Sequence, residues 1–126
     1  MARVVGIGGV MVKARDPQAL RAWYRDALGM DVQSWGGAQL WNDVPDGART
    51  YAVWSSFPAS SDYFAPSERP FMINLRVDDV EGLVAHLKTR GDNVLERGED
   101  SEFGKFRYVL DPEGTLLELF QPAPED

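Results

Sequence analysis

Residues 9–29, GVMVKARDPQALRAWYRDALG, change their period in the middle, and that change decides the fold. Up to Arg15 the apolar Val10, Val12 and Ala14 alternate with Met11 and Lys13, the two-residue period of a strand. Asp16 then offers an N-cap, Pro17 suits the first helical position, and Gly29 offers a stop. Between them Leu20, Trp23, Tyr24, Ala27 and Leu28 recur at helical spacing and mark one face. Residues 72–91, MINLRVDDVEGLVAHLKTRG, repeat the order: an alternating strand, Asp79 as cap, Val80, Leu83, Val84 and Leu87, then Gly91. The two capping aspartates lie 63 residues apart.

The likeness continues beyond each helix. A short strand signal follows, DVQSW around Val32 and NVLER around Val94. Two further strands then flank a turn: AQLW, DVPDG and RTYAVWS in the first half, KFRYVL, DPEG and TLLELF in the second. The unit is strand–helix–strand–strand–strand, present twice. The pattern predicts one α+β domain over residues 1–126, with module 1 at about 4–57, a linker at 58–70 and module 2 at about 71–122. Helices are expected over 16–28 and 79–90, on the convex side of a curved mixed sheet that forms a cup.

Composition narrows the function. A chain of 126 residues suffices for one core without staples. It has no cysteine, which removes disulfides and thiolate chemistry and fits a reducing, cytoplasmic setting. No apolar run reaches membrane-spanning length, and no secretion signal is expected. A net charge of −7 repels nucleic acid and anionic lipid, so neither is an expected partner. The glycines Gly6, Gly8 and Gly9 suggest a dinucleotide loop, but the third glycine position of that fingerprint is Met11. The helix cap also comes several residues too late.

The twofold βαβββ arrangement, the entry VMVKARDPQALRAWYRDALGM and the ending YVLDPEGTLLELFQP resemble the vicinal oxygen chelate superfamily. Glyoxalase I, extradiol dioxygenases, fosfomycin-modifying enzymes and bleomycin-resistance proteins belong to it. The resemblance implies a divalent metal in the cup, held from the first and last strand of each unit. The corresponding positions in this chain are Gly9, Met72, Glu118 and Tyr51, with Val53 as the alternative to Tyr51. Of these, only Glu118 suits a hard metal. His86 lies inside the second helix, away from the cup, and reads as a surface residue.

Strand alternation places Met11, Met72, Asn74, Glu118, Tyr51 and Val53 in the cup, with Lys13 and Arg76 towards one end and Trp35 and Trp41 at the walls. Trp54 faces the other way and is expected beneath a helix. Gly9 either opens room for a ligand or, with Gly8, relieves a bulge. Glu118 is the one catalytic candidate; as a structural residue it would pair with Arg76 or Lys13. The expectation is a metal-free, cofactor-free homodimer that binds a small aromatic or cationic molecule through Met11, Trp35, Trp41, Tyr51, Met72, Asn74 and Glu118. The alternative is a lyase- or dioxygenase-like enzyme with Glu118 as metal ligand or acid/base.

Overall fold

A computed structural model describes residues 2–43 and 49–124. Within them the chain runs β1 (Val4–Ala14), α1 (Pro17–Leu28), β2 (Gly37–Asp43), β3 (Arg49–Pro58), β4 (Phe71–Val77), α2 (Val80–Arg90), β5 (Asn93–Ser101), β6 (Gly104–Leu110) and β7 (Leu116–Pro122). The turn expected at DVPDG lies largely outside the described residues.

Both helices begin and end where their caps require. The Asp16 carboxylate accepts from the Ala19 N–H at 3.1 Å, and that of Asp79 accepts from the Gly82 N–H at 3.1 Å. Gly29 and Gly91 close the helices at φ of 68° and 87°, in the left-handed region that glycine enters without a Cβ penalty. The DPEG turn is held by Asp111, whose Oδ1 accepts from the N–H groups of Glu113 and Thr115.

The strands form one open mixed sheet in the order β2-β3-β1-β4-β7-β6-β5. Each module's first strand runs parallel to its own last strand, β1 with β3 and β4 with β7. The two first strands then pair antiparallel at the centre. There Gly9 faces Asn74 and Met11 faces Met72. The 63-residue offset exchanges these two pairs, as an approximate twofold axis between β1 and β4 requires.

The helices cover the convex face. Tyr24 of α1 packs on Trp54 with ring centroids 4.2 Å apart, so Trp54 is beneath a helix as its position in the alternation predicts. Arg21 of α1 donates to the Ser56 hydroxyl at 2.7 Å. Leu83, Val84 and Leu87 of α2 close over Val77, Val109 and Leu119. His86 is exposed on α2, in agreement with its reading as a surface residue.

Two expectations need correction. The stretch around Val32 forms no strand. Its backbone turns instead, with the Gln33 N–H donating to the Gly37 carbonyl and the Gly36 N–H to that of Gln33. Those groups are spent on the turn, and β2 starts at Gly37. Nor do Lys13 and Arg76 share an end of the cup. They are twofold equivalents on antiparallel strands and therefore lie at opposite ends.

Candidate functional site

The floor of the concave face is shaped by an interruption in β1. Ile7 pairs with Leu75 and Gly9 with Asn74, which leaves Gly8 as an inserted residue, a β-bulge. A side chain at Gly8 would overlap the Asn74 amide and crowd Arg76. One at Gly9 would overlap the Val53 carbonyl of β3. Of the two readings of these glycines, the bulge is present, and Gly8 makes room for the Asn74 carboxamide. Gly9 allows β1 and β3 to approach. The bulge also breaks the alternation: Ile7 lies opposite Leu75 of the helix-side face and is exposed, outside the cup.

Glu118 stands on β7 beside Asn74 of β4. It is 3% exposed, and its carboxylate accepts from three neutral donors. Asn74 Nδ2 donates to Oε1 at 2.8 Å; the hydroxyls of Tyr63 and Tyr108 donate to Oε2 at 2.7 and 2.6 Å. Neither Arg76 nor Lys13 pairs with it among the described residues, contrary to the structural reading of the sequence. Lys13 instead lies over the Phe64 ring at 5.3 Å. Arg97 backs the tyrosine pair, 3.9 Å from the Tyr108 ring centroid and 4.8 Å from that of Tyr63, and donates to the Tyr63 carbonyl at 2.7 Å.

Burial, and then the charge of Glu118, push the Tyr108 hydroxyl up from 10.0 to about 12 and raise that of Tyr63 further. Both remain protonated donors at neutral pH. The sign of the stability effect follows. An unfolded chain loses these protons near pH 10 while the folded one keeps them, so their contribution is intact below pH 10 and falls as pH rises towards 12 and beyond. Urea unfolding followed from pH 8 to 12 is expected to show a falling midpoint only above pH 10. A midpoint flat through pH 12 would show that the pair does not hold its protons more tightly than the unfolded chain.

The approximate twofold makes two half-cups, and the linker fills one. Phe64 is fully buried against Met11, Met72, Tyr108 and Leu116, with Phe57 and Tyr63 packed around this cluster. Met72, expected in the cup floor, is sealed beneath this plug and fully buried. The other half stays open as a cavity of about 380 Å³. Gly8, Met11, Asn74 and Arg76 form its floor, Tyr51, Val53 and Gln39 one wall, and Phe106, Glu118 and Phe120 the other. Trp35 and Phe103 stand at its mouth, 55% and 69% exposed. Trp41 lies outside the cavity. It packs on Tyr51 at 5.0 Å and lines a neighbouring depression with Asp31, Gln33, Trp35 and Gln39.

Of the residues expected to bind, the structure therefore brings together Met11, Trp35, Tyr51, Asn74 and Glu118, and leaves out Trp41 and Met72. The expected binding set did not include Gly8, Tyr63, Tyr108, Phe103, Phe106 or Phe120. Glycine at a strand interior was the signal for Gly8. For Tyr63, inside a polar connection, there was none.

A family-type metal does not fit this donor set. Strand register pairs Met11 with Ser55 as it pairs Asn74 with Glu118, so the counterpart of Glu118 is Ser55, not Tyr51 or Val53. The four positions thus hold Gly9, Met72, Ser55 and Glu118. The Glu118 oxygens are already engaged, and no group of three His, Cys, Asp or Glu side chains converges among the described residues.

Two modules sharing one cup give the fold also seen in a member of the glyoxalase/bleomycin resistance/dioxygenase superfamily. The chain belongs to the glyoxalase-like domain family, whose model matches residues 9–120. Among solved structures it is similar to a Streptomyces coelicolor methylmalonyl-CoA epimerase, at 20% identity and a TM-score of 0.65, covering 97% of this chain and 100% of that one. Methylmalonyl-CoA epimerase from Mycobacterium tuberculosis aligns at 21% identity and a TM-score of 0.59, over 96% of this chain and 90% of that one. A superfamily member from Vibrio splendidus aligns at 18% identity and 0.58, over 96% and 99%. No curated protein matches the sequence. No helix of the described residues is long and apolar enough to cross a membrane.

Proposed function

We propose that this protein binds a small, flat molecule in the open half of the cup, without a metal ion. The observation that carries the reading is the cavity of about 380 Å³, whose apolar and aromatic lining surrounds a few fixed polar groups. That volume and composition suit a small organic ligand. The aromatic rings at the mouth supply flat faces for stacking. The donor set described above supports the metal-free reading, since it offers a metal one carboxylate whose oxygens are already engaged.

A cationic ligand was expected because Glu118 was the carboxylate of the cup. With three hydrogen bonds already accepted, Glu118 serves the network first, which favours a flat ligand over a cationic one.

Thermal unfolding against a panel of aromatic compounds, with EDTA and separately with added divalent metals, tests the reading. A true ligand at about 100 times its dissociation constant stabilises the fold by about 2.7 kcal/mol. The expected result is a shift that persists in EDTA and disappears in Val53→Trp, which fills the cavity, while that variant keeps its own cooperative transition. Stabilisation that needs a divalent metal and is lost in Glu118→Gln would favour the lyase- or dioxygenase-like alternative instead.

A further inference from the structure

Two side-chain polar atoms in the described residues are buried without a hydrogen-bond partner: Oδ1 of Asn74 and Nε of Arg76. Both residues stand on β4 and line the same cavity, beside the bulge at Gly8. Buried polar groups in folded proteins are almost always satisfied, so an orphaned acceptor and donor in one cavity describe what is meant to enter it.

Neither group is free to turn away. Asn74 is 4% exposed, and its Nδ2 is committed to Glu118, which directs Oδ1 over Gly8. Arg76 donates from Nη2 to the Tyr51 carbonyl at 3.0 Å. Its guanidinium carbon lies 4.7 Å from the Tyr51 ring centroid and 5.8 Å from that of Phe120. Held between these rings, the planar fork keeps a fixed direction, and no carboxylate of the described residues pairs with it. The cavity therefore presents a cation with an unused N–H, and near it an unused acceptor. Glu118, the other charged residue of the lining, faces the tyrosines and Asn74.

We infer that the ligand of this cup is an aromatic acid whose carboxylate is taken by Arg76 and which carries a hydrogen-bond donor, a hydroxyl or amino group, next to that carboxylate for Asn74. The inference rests on the proposed binding function and specifies its ligand class. Arginine suits a carboxylate because its planar donors match two oxygens at once. The flat ring is placed by Tyr51, Phe106 and Phe120, with Trp35 and Phe103 at the opening. The missing side chain of Gly8 leaves the space that Asn74 Oδ1 occupies, next to the Arg76 side chain.

Isothermal titration of the full chain with four probes tests this: 2-hydroxybenzoate, benzoate, 2-hydroxybenzamide and benzylamine. The expected order is 2-hydroxybenzoate tightest, benzoate several-fold weaker, and benzylamine weakest. Arg76→Met should weaken 2-hydroxybenzoate at least tenfold while changing the neutral 2-hydroxybenzamide less than threefold. Arg76→Lys, which keeps the charge and loses the fork, should fall between. Added sodium chloride should weaken only the two acids in the wild type, a readout that does not depend on any variant folding. Benzylamine binding more tightly than the acids, or equal 2-hydroxybenzoate affinity in wild type and Arg76→Met, would overturn the assigned ligand class and leave the cup as a binding site. Failure of all four probes overturns the ligand class as well. The binding function itself falls only if the wider aromatic panel also gives no shift.

Discussion

Glu118→Ala is expected to destabilise the fold by about 3–5 kcal/mol. The residue is 3% exposed and accepts from Asn74, Tyr63 and Tyr108, so its removal leaves three buried donors at once. Each unsatisfied donor costs about 1–3 kcal/mol. The full sum is not reached, because the two tyrosine oxygens are 2.9 Å apart and one hydroxyl can turn to the other. Glu118→Gln is the informative contrast. Its carbonyl oxygen can still accept from both tyrosines, but its amide meets the Asn74 amide. Rotation of Asn74 relieves that clash and exchanges acceptor for donor at the cavity. The expected cost is about 1 kcal/mol, together with loss of the hydroxyl preference among aromatic acids. Urea unfolding read by tryptophan fluorescence measures both variants. A loss below about 1 kcal/mol for Glu118→Ala would mean that the network is not closed in solution.

Phe64→Ala is expected to cost about 3–5 kcal/mol, a core-sized loss from a residue inside a polar connection. Phe64 has no exposed surface and closes the cluster of Met11, Met72, Tyr108 and Leu116. It also meets Phe57 edge-on, with ring centroids 5.3 Å apart. Truncation leaves a void where the plug of the filled half-cup had been, and neighbouring strands held on both sides cannot collapse into it. The slope of the urea transition should stay that of the wild type while its midpoint falls. An unchanged midpoint would show that the linker does not seal this half of the sheet.

How far the sequence carried depends on the range of the interactions involved. The two helices were legible because caps, stops and the 3.6-residue period act within one or two turns. Asp16, Pro17 and Gly29 announce α1, and Asp79 and Gly91 announce α2, almost to the residue. The repeat carried the topology, since two equivalent strand–helix units can bury their apolar faces together across an approximate twofold axis. Period-two alternation also identified most of the open floor and wall: Met11, Tyr51, Val53, Asn74 and Glu118 do line the cavity.

Register, and the choice of which half-cup stays open, belonged to the tertiary structure. A bulge of one residue at Gly8 turns Ile7 to the opposite face, and no local signal separates a bulge glycine from one that opens a pocket. The counterpart of Glu118 shifts to Ser55 because parallel register is set by pairing with β1, Met11 with Ser55 across 44 residues of chain, not by turn length. The linker reads as polar and proline-rich, yet the fold drives Phe64 into one half of the cup and brings Tyr63 to Glu118. That long-range contact breaks the symmetry that the sequence repeat suggests. It commits the carboxylate to an internal network, and it leaves Arg76 as the cation that faces the open cavity.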